Sequence, residues 1–383
     1  MKIFGIICEY DPLHLGHVRH INYTKHLAGE NGLVVCVMSG NFTQRGLPAI
    51  MDKYTRAKHA ILAGADAVVE LPTLFSTASA TDFAYGGIKI LQQLGATGIC
   101  CGSECGDKNA LLSICDKILI FNEEFNNTIK QLMREGENYP TALSIAENKL
   151  FNTNLLSYPN NLLAIEYLNS IKKLNSDIIF ETLHRDSSYS DEDNTQNCSS
   201  STIRKAFKAN NFDNVKQHLP EYIYEDLLTT TIDYQSKYEN LIPILLSLKN
   251  KNLLSEIADV TEGIENLLFD NLCSNFDEYI SKIKSKRYTR ARINRILLYS
   301  ILDITKTHQK LKQTKSNIPL TLLAIKNNNI VINEVLKLIQ DNNQSNNENT
   351  KEISSITQKA DRFYYTMRKI VIDKNNINKL KKY

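Results

Sequence analysis

Two histidines, His14 and His17, flank a glycine in the stretch Glu9-Tyr10-Asp11-Pro12-Leu13-His14-Leu15-Gly16-His17. An apolar run, Ile3 to Ile7, precedes it and a segment of helical composition, Val18 to Leu27, follows it, so the histidines fall at a strand-to-helix junction. The first turn of a helix presents free backbone N–H groups and the positive end of its dipole, which suits a phosphate. Gly16 carries no side chain to hold a triphosphate away from the backbone, and His14 and His17 could donate hydrogen bonds to phosphoryl oxygens or stabilise charge on a departing pyrophosphate. The competing reading is a pair of surface loop histidines, since so short a motif also arises by chance. Placement after the first strand favours phosphate, because open α/β sheets hold ligands beyond the carboxyl ends of their strands.

The elements that must position this turn follow at regular spacing. Gly32 to Met38 is a continuous apolar run, as in a strand buried on both faces, and it exits through Ser39-Gly40-Asn41-Phe42-Thr43-Gln44-Arg45-Gly46, which should line the same crevice. A helix from Asp52 to Leu62 is capped by Asp52, and its Lys53 and Arg56 read by default as solvated charge. Asp66 to Pro72, Gly98 to Glu104 and Asp177 to Thr182 supply the third, fourth and fifth strands, with a helix from Thr81 to Leu94, helical segments over 109–149 and another helix opening at Tyr158. The alternation predicts an α/β fold: a Rossmann-like, five-stranded parallel sheet built by right-handed crossovers, with the exits of the first four strands collected along one edge.

A loop rich in Ser, Asp and Asn then leads into Cys198-Ser199-Ser200-Ser201-Thr202-Ile203-Arg204, where hydroxyls cap a helix and Arg204 sits in its first turns. This is either an ordinary serine cap or a second anion site. Beyond about residue 212 amphipathic helical segments dominate, such as Tyr238 to Leu248 and Glu256 to Phe269, and an α-helical domain is expected to follow the sheet. The domains predicted are 1–208, holding the sheet and its phosphate-binding turn; 209–340, a helical unit; and 341–383, a low-complexity linker and a C-terminal helix packed on the helical unit.

Within the helical unit, Lys284, Lys286, Arg287, Arg290, Arg292 and Arg295 crowd a segment with no acidic residue, beside Tyr288 and Tyr299. A helix starting at Thr289 would bury Ile293, Ile296, Leu297, Ser300 and Ile304 and turn Arg292, Arg295 and Tyr299 outward. Such a segment suits an RNA backbone with a base or two to stack, and reads equally as a solvated charge run.

Composition narrows the classes. A net charge of +3 from 45 basic and 42 acidic residues does not announce a nucleic-acid partner by itself. No apolar run approaches the ~20 residues that span a bilayer, and Met1-Lys2 leads directly into the first strand, so a cytoplasmic protein without membrane association is expected. The eight cysteines lack paired C-x-x-C spacing, so buried free thiols are expected and no metal site is assigned. No feature points to a protein partner.

The His-x-Gly-His spacing resembles the nucleotide-binding signature shared by nucleotidyltransferases and class I aminoacyl-tRNA synthetases, whose adenylyl-transferring members set a Ser-rich, Arg-bearing helix start opposite the first loop. Taken with Gly5 to His17, Met38 to Ala49, Val69-Glu70-Leu71-Pro72, Gly102-Ser103-Glu104, Pro159-Asn160-Asn161 and Lys284 to Ile293, the chain to about Asp303 closely resembles the bacterial tRNA(Met) cytidine acetate ligases. The resemblance implies activation of acetate by ATP to acetyl-adenylate and acetylation of N4 of the wobble cytidine of elongator tRNA(Met), with Mg²⁺ as a possible helper. It implies an ATP site over Ile7, Cys8, Glu9, Tyr10, Asp11, Pro12, Leu13, His14, Leu15, Gly16, His17, Val18, Arg19 and His20, then Gly102, one of Asn160 and Asn161, and Arg185, with Ser199 to Arg204 matching the second phosphate-binding helix start. The phosphate chemistry would fall to His14, His17 and Arg204. The first loop departs from the family's usual Asn-Pro-Phe-His-Asn-Gly-His at Asp11, Leu13 and Leu15, and Asp186-Ser187-Ser188 stands where the family is Gly-rich. Two other readings are an adenylyltransferase for a phosphorylated small metabolite, which needs no long helical extension, and a non-catalytic RNA-binding protein regulated by ATP.

Overall fold

The computed structural model describes residues 1–185, 198–211, 213–230, 233–261, 263–273, 275–285, 288–313, 316–344, 347–368 and 381–382. Its centre is a sheet in the order β5-β4-β1-β2-β3-β6-β7. The strands are β1 (Ile3–Cys8), β2 (Leu33–Ser39), β3 (Ala67–Leu71), β4 (Gly98–Ser103), β5 (Ile179–His184), β6 (Leu322–Ile325) and β7 (Lys381–Lys382). β1 to β5 run parallel, Ile3 opposite Leu33 in one pairing and Gly98 opposite Ile179 in another.

All seven residues of β2 are buried because successive side chains enter opposite cores. Leu33, Val35 and Val37 pack in the core that holds Ile88 and Leu91 of the helix Ala80–Gln93 and Ile165 and Leu168 of the helix Pro159–Lys173. Val34, Cys36 and Met38 pack in the other, with Ile21 of the helix Leu15–Ala28 and Ala57 and Ala60 of the helix Lys53–Leu62. β1 lies between β2 and β4, so chain order reverses direction across the sheet there, the place where open α/β sheets leave a crevice.

The five parallel strands form as expected, but the sheet is wider. Leu322–Ile325 adds β6 antiparallel to β3, Ala67 opposite Ile325, so the 209–340 segment also completes the sheet. Of the segment 256–269, only Ile264 onward is α-helical, in Ile264–Asp270. The Asn-rich stretch 341–349 is not a long linker: the helix Asn329–Asn343 ends inside it and the helix Glu348–Arg368 begins inside it, with Asn347 Oδ1 accepting from Thr350 N at 3.1 Å.

That last helix does more than pack on the helical region, where its Tyr364 stacks on Tyr234 at 4.2 Å. It also covers the carboxyl ends of β2 and β3: Asp361 accepts from Asn41 Nδ2 at 2.8 Å, Thr357 Oγ1 accepts from Thr73 N at 3.1 Å, and Tyr364 Oη donates to Ala49 O at 2.9 Å. Lys53 and Arg56 are correspondingly not solvated. Lys53 reaches Glu70 and Asp361, while Arg56 donates to the carbonyls of Glu9, Gly40 and Met51, tying the exits of β1 and β2 together. No described helix is long and apolar enough to cross a membrane.

Candidate active site

The β1 exit folds onto itself before it enters its helix. His14 is the N-cap of the helix Leu15–Ala28: its Nδ1 accepts from Gly16 N at 3.1 Å, and its own N–H donates to His17 Nδ1 at 3.3 Å. The two imidazoles stack at 3.8 Å between ring centres. A Cβ on Gly16 would come within 2.9 Å of the His14 ring, so the glycine makes room for that histidine. The expected free backbone donors are not free in this structure. Leu15 N donates to His218 O, Gly16 N to His14 Nδ1, and His17 N and Val18 N to His14 O. What faces outward from the turn is therefore imidazole.

Across from it, Arg185 follows β5 and lies over Gly102 at the end of β4, where a Cβ would meet its Cδ at 2.5 Å. Arg185 Nη1 donates to Asn160 Oδ1 at 3.0 Å. Glu104 holds the start of the helix Pro159–Lys173, accepting from Asn160 N and Nδ2 and from Asn161 N. The two asparagines thus separate: Asn160 orients the arginine, whereas Asn161 is buried and accepts from Cys105 N.

These elements enclose a cavity of about 280 Å³ at the ends of β1, β4 and β5. Of the expected ATP-site residues, His14, Leu15, Gly16, His17, Arg19, His20, Gly102, Arg185 and Ser199 line it. Three that sequence reasoning missed, His184, Cys198 and His218, line it too, as does Leu183. Five of the eight histidines in the chain share this one cavity with two arginines, and none of its described lining residues is a carboxylate.

Burial lowers His14 to about 3 and His20 to about 4, and lowers His17 strongly, with Arg185 and, for His17, the neighbouring His14 adding to the effect. All three are neutral donors at pH 7. His20 Nε2 is buried without a partner, the condition of a group that a ligand completes.

The remaining expected ATP residues lie elsewhere. Ile7 and Cys8 end β1, Tyr10, Pro12 and Leu13 are buried beneath the turn, and Val18 packs on the core. Glu9 and Asp11 face a second depression, together with Arg204. The helix Ser200–Lys208 forms the wall between the two. Its N-cap Ser199, accepting from Thr202 N at 3.2 Å, faces the histidines; Arg204 does not, and its Nη1 donates to Asp11 O at 2.5 Å. The exits of β2 and β3 do not line the histidine cavity, because the helix Glu348–Arg368 occupies their ends.

The basic segment is largely engaged. The helix Arg290–Leu302 starts at Thr289 as expected, with Ile293, Ile296, Leu297 and Ser300 buried. Arg290 pairs with Asp277 at 2.5 Å, Arg292 donates to Thr261 Oγ1 at 2.6 Å and lies over the Tyr288 ring, and Arg295 sits 3.5 Å from Asp259. Tyr299 is buried rather than outward, its hydroxyl donating to Thr77 O at 2.6 Å, and Tyr288 is buried too, so neither ring is open to a base. Gly46, with φ of 72°, lets the loop after β2 lie against the backbone of Arg295. Lys284 is exposed; Lys286 and Arg287 lie outside the described residues.

Among the described residues no group of three or more His, Cys, Asp or Glu could hold a metal ion. Among the described residues that line the cavity there is no carboxylate to act as a hard oxygen ligand.

The family described as HIGH Nucleotidyl Transferase matches residues 1–379. The chain is similar to the tRNA(Met) cytidine acetate ligases of Clostridium perfringens strain ATCC 13124, 39% identical over 90% of this chain and 89% of that one, and of Caldicellulosiruptor saccharolyticus, 35% identical over 82% and 80%. Its fold is similar to that of Thermotoga maritima TmcAL bound with alpha-thio ATP, with a TM-score of 0.87 and 23% identity over all of both chains. Against apo TmcAL the TM-score is 0.85 with 26% identity over 96% and 95%.

Proposed function

This chain belongs to the tRNA(Met) cytidine acetate ligase family of HIGH nucleotidyl transferases, and from that premise we propose that its histidine cavity is where ATP activates acetate. The enzyme is an ATP-dependent ligase that acetylates tRNA(Met). The observation that supports the site assignment is five histidines and two arginines around one cavity, with no carboxylate among the described residues that line it.

Acetate is a weak nucleophile, so the first step depends on holding it in line with the α-phosphorus and on neutralising charge as pyrophosphate leaves. An acetate oxygen bonds to phosphorus and the bond to the β-phosphate oxygen breaks. His14, His17 and His20, neutral when the cavity lacks an anion, stabilise the phosphoryl oxygens as hydrogen-bond donors. Arg185, oriented by Asn160, and Arg19 answer the triphosphate charge. Arg204 acts indirectly, holding the Asp11 carbonyl and hence the turn that carries His14.

In the second step the N4 amine of the wobble cytidine of elongator tRNA(Met) attacks the acetyl carbon; AMP leaves with the electron pair of the acyl–oxygen bond and the amine gives up one proton. The helical region 209–340, with Lys284, Lys286, Arg287 and Arg290 on its basic segment, carries the RNA, and we place the enzyme in the cytoplasm with its substrate. Incubation with labelled acetate, ATP and transcribed tRNAs is expected to put label into elongator tRNA(Met). Transfer of AMP to a small phosphate ester, or binding without turnover, would overturn the reading.

A further inference from the structure

Three consecutive residues at the exit of β4, Gly102, Ser103 and Glu104, hold Arg185 at three points. Arg185 N donates to Ser103 O at 2.9 Å, which fixes its backbone. Its stem lies on Gly102, where a Cβ would meet Cγ at 2.9 Å as well as Cδ, so the strand leaves a track for the side chain. The head is held at one remove. Arg185 Nη1 donates to Asn160 Oδ1 at 3.0 Å, and Asn160 Nδ2 donates to Glu104 Oε1 at 2.7 Å.

The amide between them has a single workable orientation. A carboxylate only accepts and a guanidinium only donates, so the Asn160 nitrogen must face Glu104 and its oxygen must face Arg185. Glu104 is fixed in turn by the helix Pro159–Lys173. Tyr158 gives that helix no side-chain cap and Pro159 has no N–H to offer, so the first backbone donors are Asn160 N and Asn161 N. Glu104 accepts from them at 3.1 Å and 2.8 Å, one oxygen to each, where the helix dipole favours a negative charge.

Both Glu104 oxygens are therefore taken up by the helix start and the amide. The carboxylate does not line the histidine cavity, whereas Arg185 does. A direct ion pair would withdraw the cation from an incoming anion; a neutral amide directs the guanidinium and leaves its charge in place.

We propose that Glu104 is a positioning residue for the nucleotide: acting through the Asn160 amide, it aims the Arg185 guanidinium at the histidine cavity with its charge available to the triphosphate. The inference rests on the ATP reading of that cavity. Backbone, stem and head of one arginine are then set by successive residues of the run 102–104.

Two variants separate this relay from the helix cap. Asn160→Leu keeps both backbone N–H bonds to Glu104 and removes the amide, whereas Glu104→Ala removes both. In acetate-dependent ATP–pyrophosphate exchange each is expected to raise the KM for ATP about ten- to a hundredfold, the scale for a binding group set in the wrong place. The triphosphate carries its charge before the reaction as well as during it, so kcat at saturating ATP is expected to fall by less than about threefold. In an Arg185→Ala background neither substitution should raise the KM more than about twofold further, because the group they aim is gone.

A wild-type KM in Asn160→Leu or in Glu104→Ala overturns the proposal. So does a rise in either that multiplies with that of Arg185→Ala, which would leave Glu104 a helix cap and nothing more. Should Glu104→Ala fail to fold, Asn160→Leu and its cycle with Arg185→Ala decide the matter, since the cap persists there. A wild-type KM in Arg185→Ala itself sinks the ATP reading of the cavity; an Arg185 effect with Asn160 and Glu104 silent sinks this inference alone.

Discussion

Two regions of the molecule gather charge, and they resolve it in opposite ways. In the knot between the helix Lys53–Leu62, β3 and the C-terminal helix, Lys53 Nζ lies 2.8 Å from both oxygens of Glu70 and 2.6 Å from Asp361 Oδ2, with all three residues buried. Burial alone would lower the Lys53 pKa, yet Asp361 and Glu70 overcome it and hold the ammonium charged. Glu70 is raised, first by burial and also by the neighbouring Asp361 carboxylate, against the pull of the Lys53 ammonium. Every charge there has its partner inside the chain. In the histidine cavity the donors and cations converge with no carboxylate among the described lining residues, the setting that the proposed function gives to a triphosphate.

If that contrast is right, the largest stability loss comes from the knot. Asp361→Ala removes a carboxylate from Lys53 and an acceptor from Asn41, and is expected to cost about 3–5 kcal/mol in chemical denaturation. A loss below about 1 kcal/mol would show that the C-terminal helix is not held by this pair. The cavity should behave in reverse. His17→Ala is expected to reduce acetate-dependent ATP–pyrophosphate exchange about 10²- to 10³-fold, the scale for removing one transition-state donor, while costing no more than about 1 kcal/mol of stability as a lost cap contact. Exchange undiminished in that variant would remove His17 from the chemistry.

The two regions differ as much in how far the sequence exposes them. The histidine turn was legible because glycine, imidazoles and a strand-to-helix junction coincide within nine residues, and the parallel order followed from apolar runs at crossover spacing. The knot was not, since Asp361 lies 308 residues from Lys53 and nothing local pairs them. A local sign did exist: Lys53 and Arg56 occupy the same i, i+3, i+4, i+7 stripe as Ala57 and Ala60, the buried face of their helix. His184 and His218 escaped notice for the same reason as Asp361, because only the sheet order and the path of the chain after the Ser200 helix bring them to His14. Arg204 lies on the expected helix, and its turning toward the Asp11 carbonyl instead of the histidine cavity depends on the path of the chain around the segment 9–14, which no local pattern shows.

Acid should separate the regions further, because their titrations have opposite sign. His14, His17 and His20 have folded pKa values lowered below the unfolded value of about 6.5, so the unfolded chain binds more protons and stability falls as pH drops from about 6.5 toward 4. Glu70 is raised, so its contribution is full below the unfolded carboxylate value and fades as pH rises through the folded one. Denaturation at pH 5 and pH 7.5 is expected to show a smaller acid loss in His14→Asn/His20→Asn, and Glu70→Gln is expected to remove the opposing trend. ATP binding should draw protons into the cavity, read as buffer-dependent heat in calorimetry; no uptake would mean the triphosphate lies away from the imidazoles.

The smallest effect tests a residue on the border between the two kinds of region. Ser199 caps its helix by accepting from Thr202 N at 3.2 Å, and its hydroxyl also meets Thr202 Oγ1 at 3.1 Å, so its oxygen is satisfied within the chain although it lines the cavity. Ser199→Ala is expected to cost about 1 kcal/mol, the usual value of a serine cap, and to raise the KM for ATP only severalfold because the helix start loosens beside the ligand. A tenfold or greater rise in KM with stability unchanged would place the hydroxyl on the triphosphate itself, and would move Ser199 from the internally satisfied class to the group that waits for its anion.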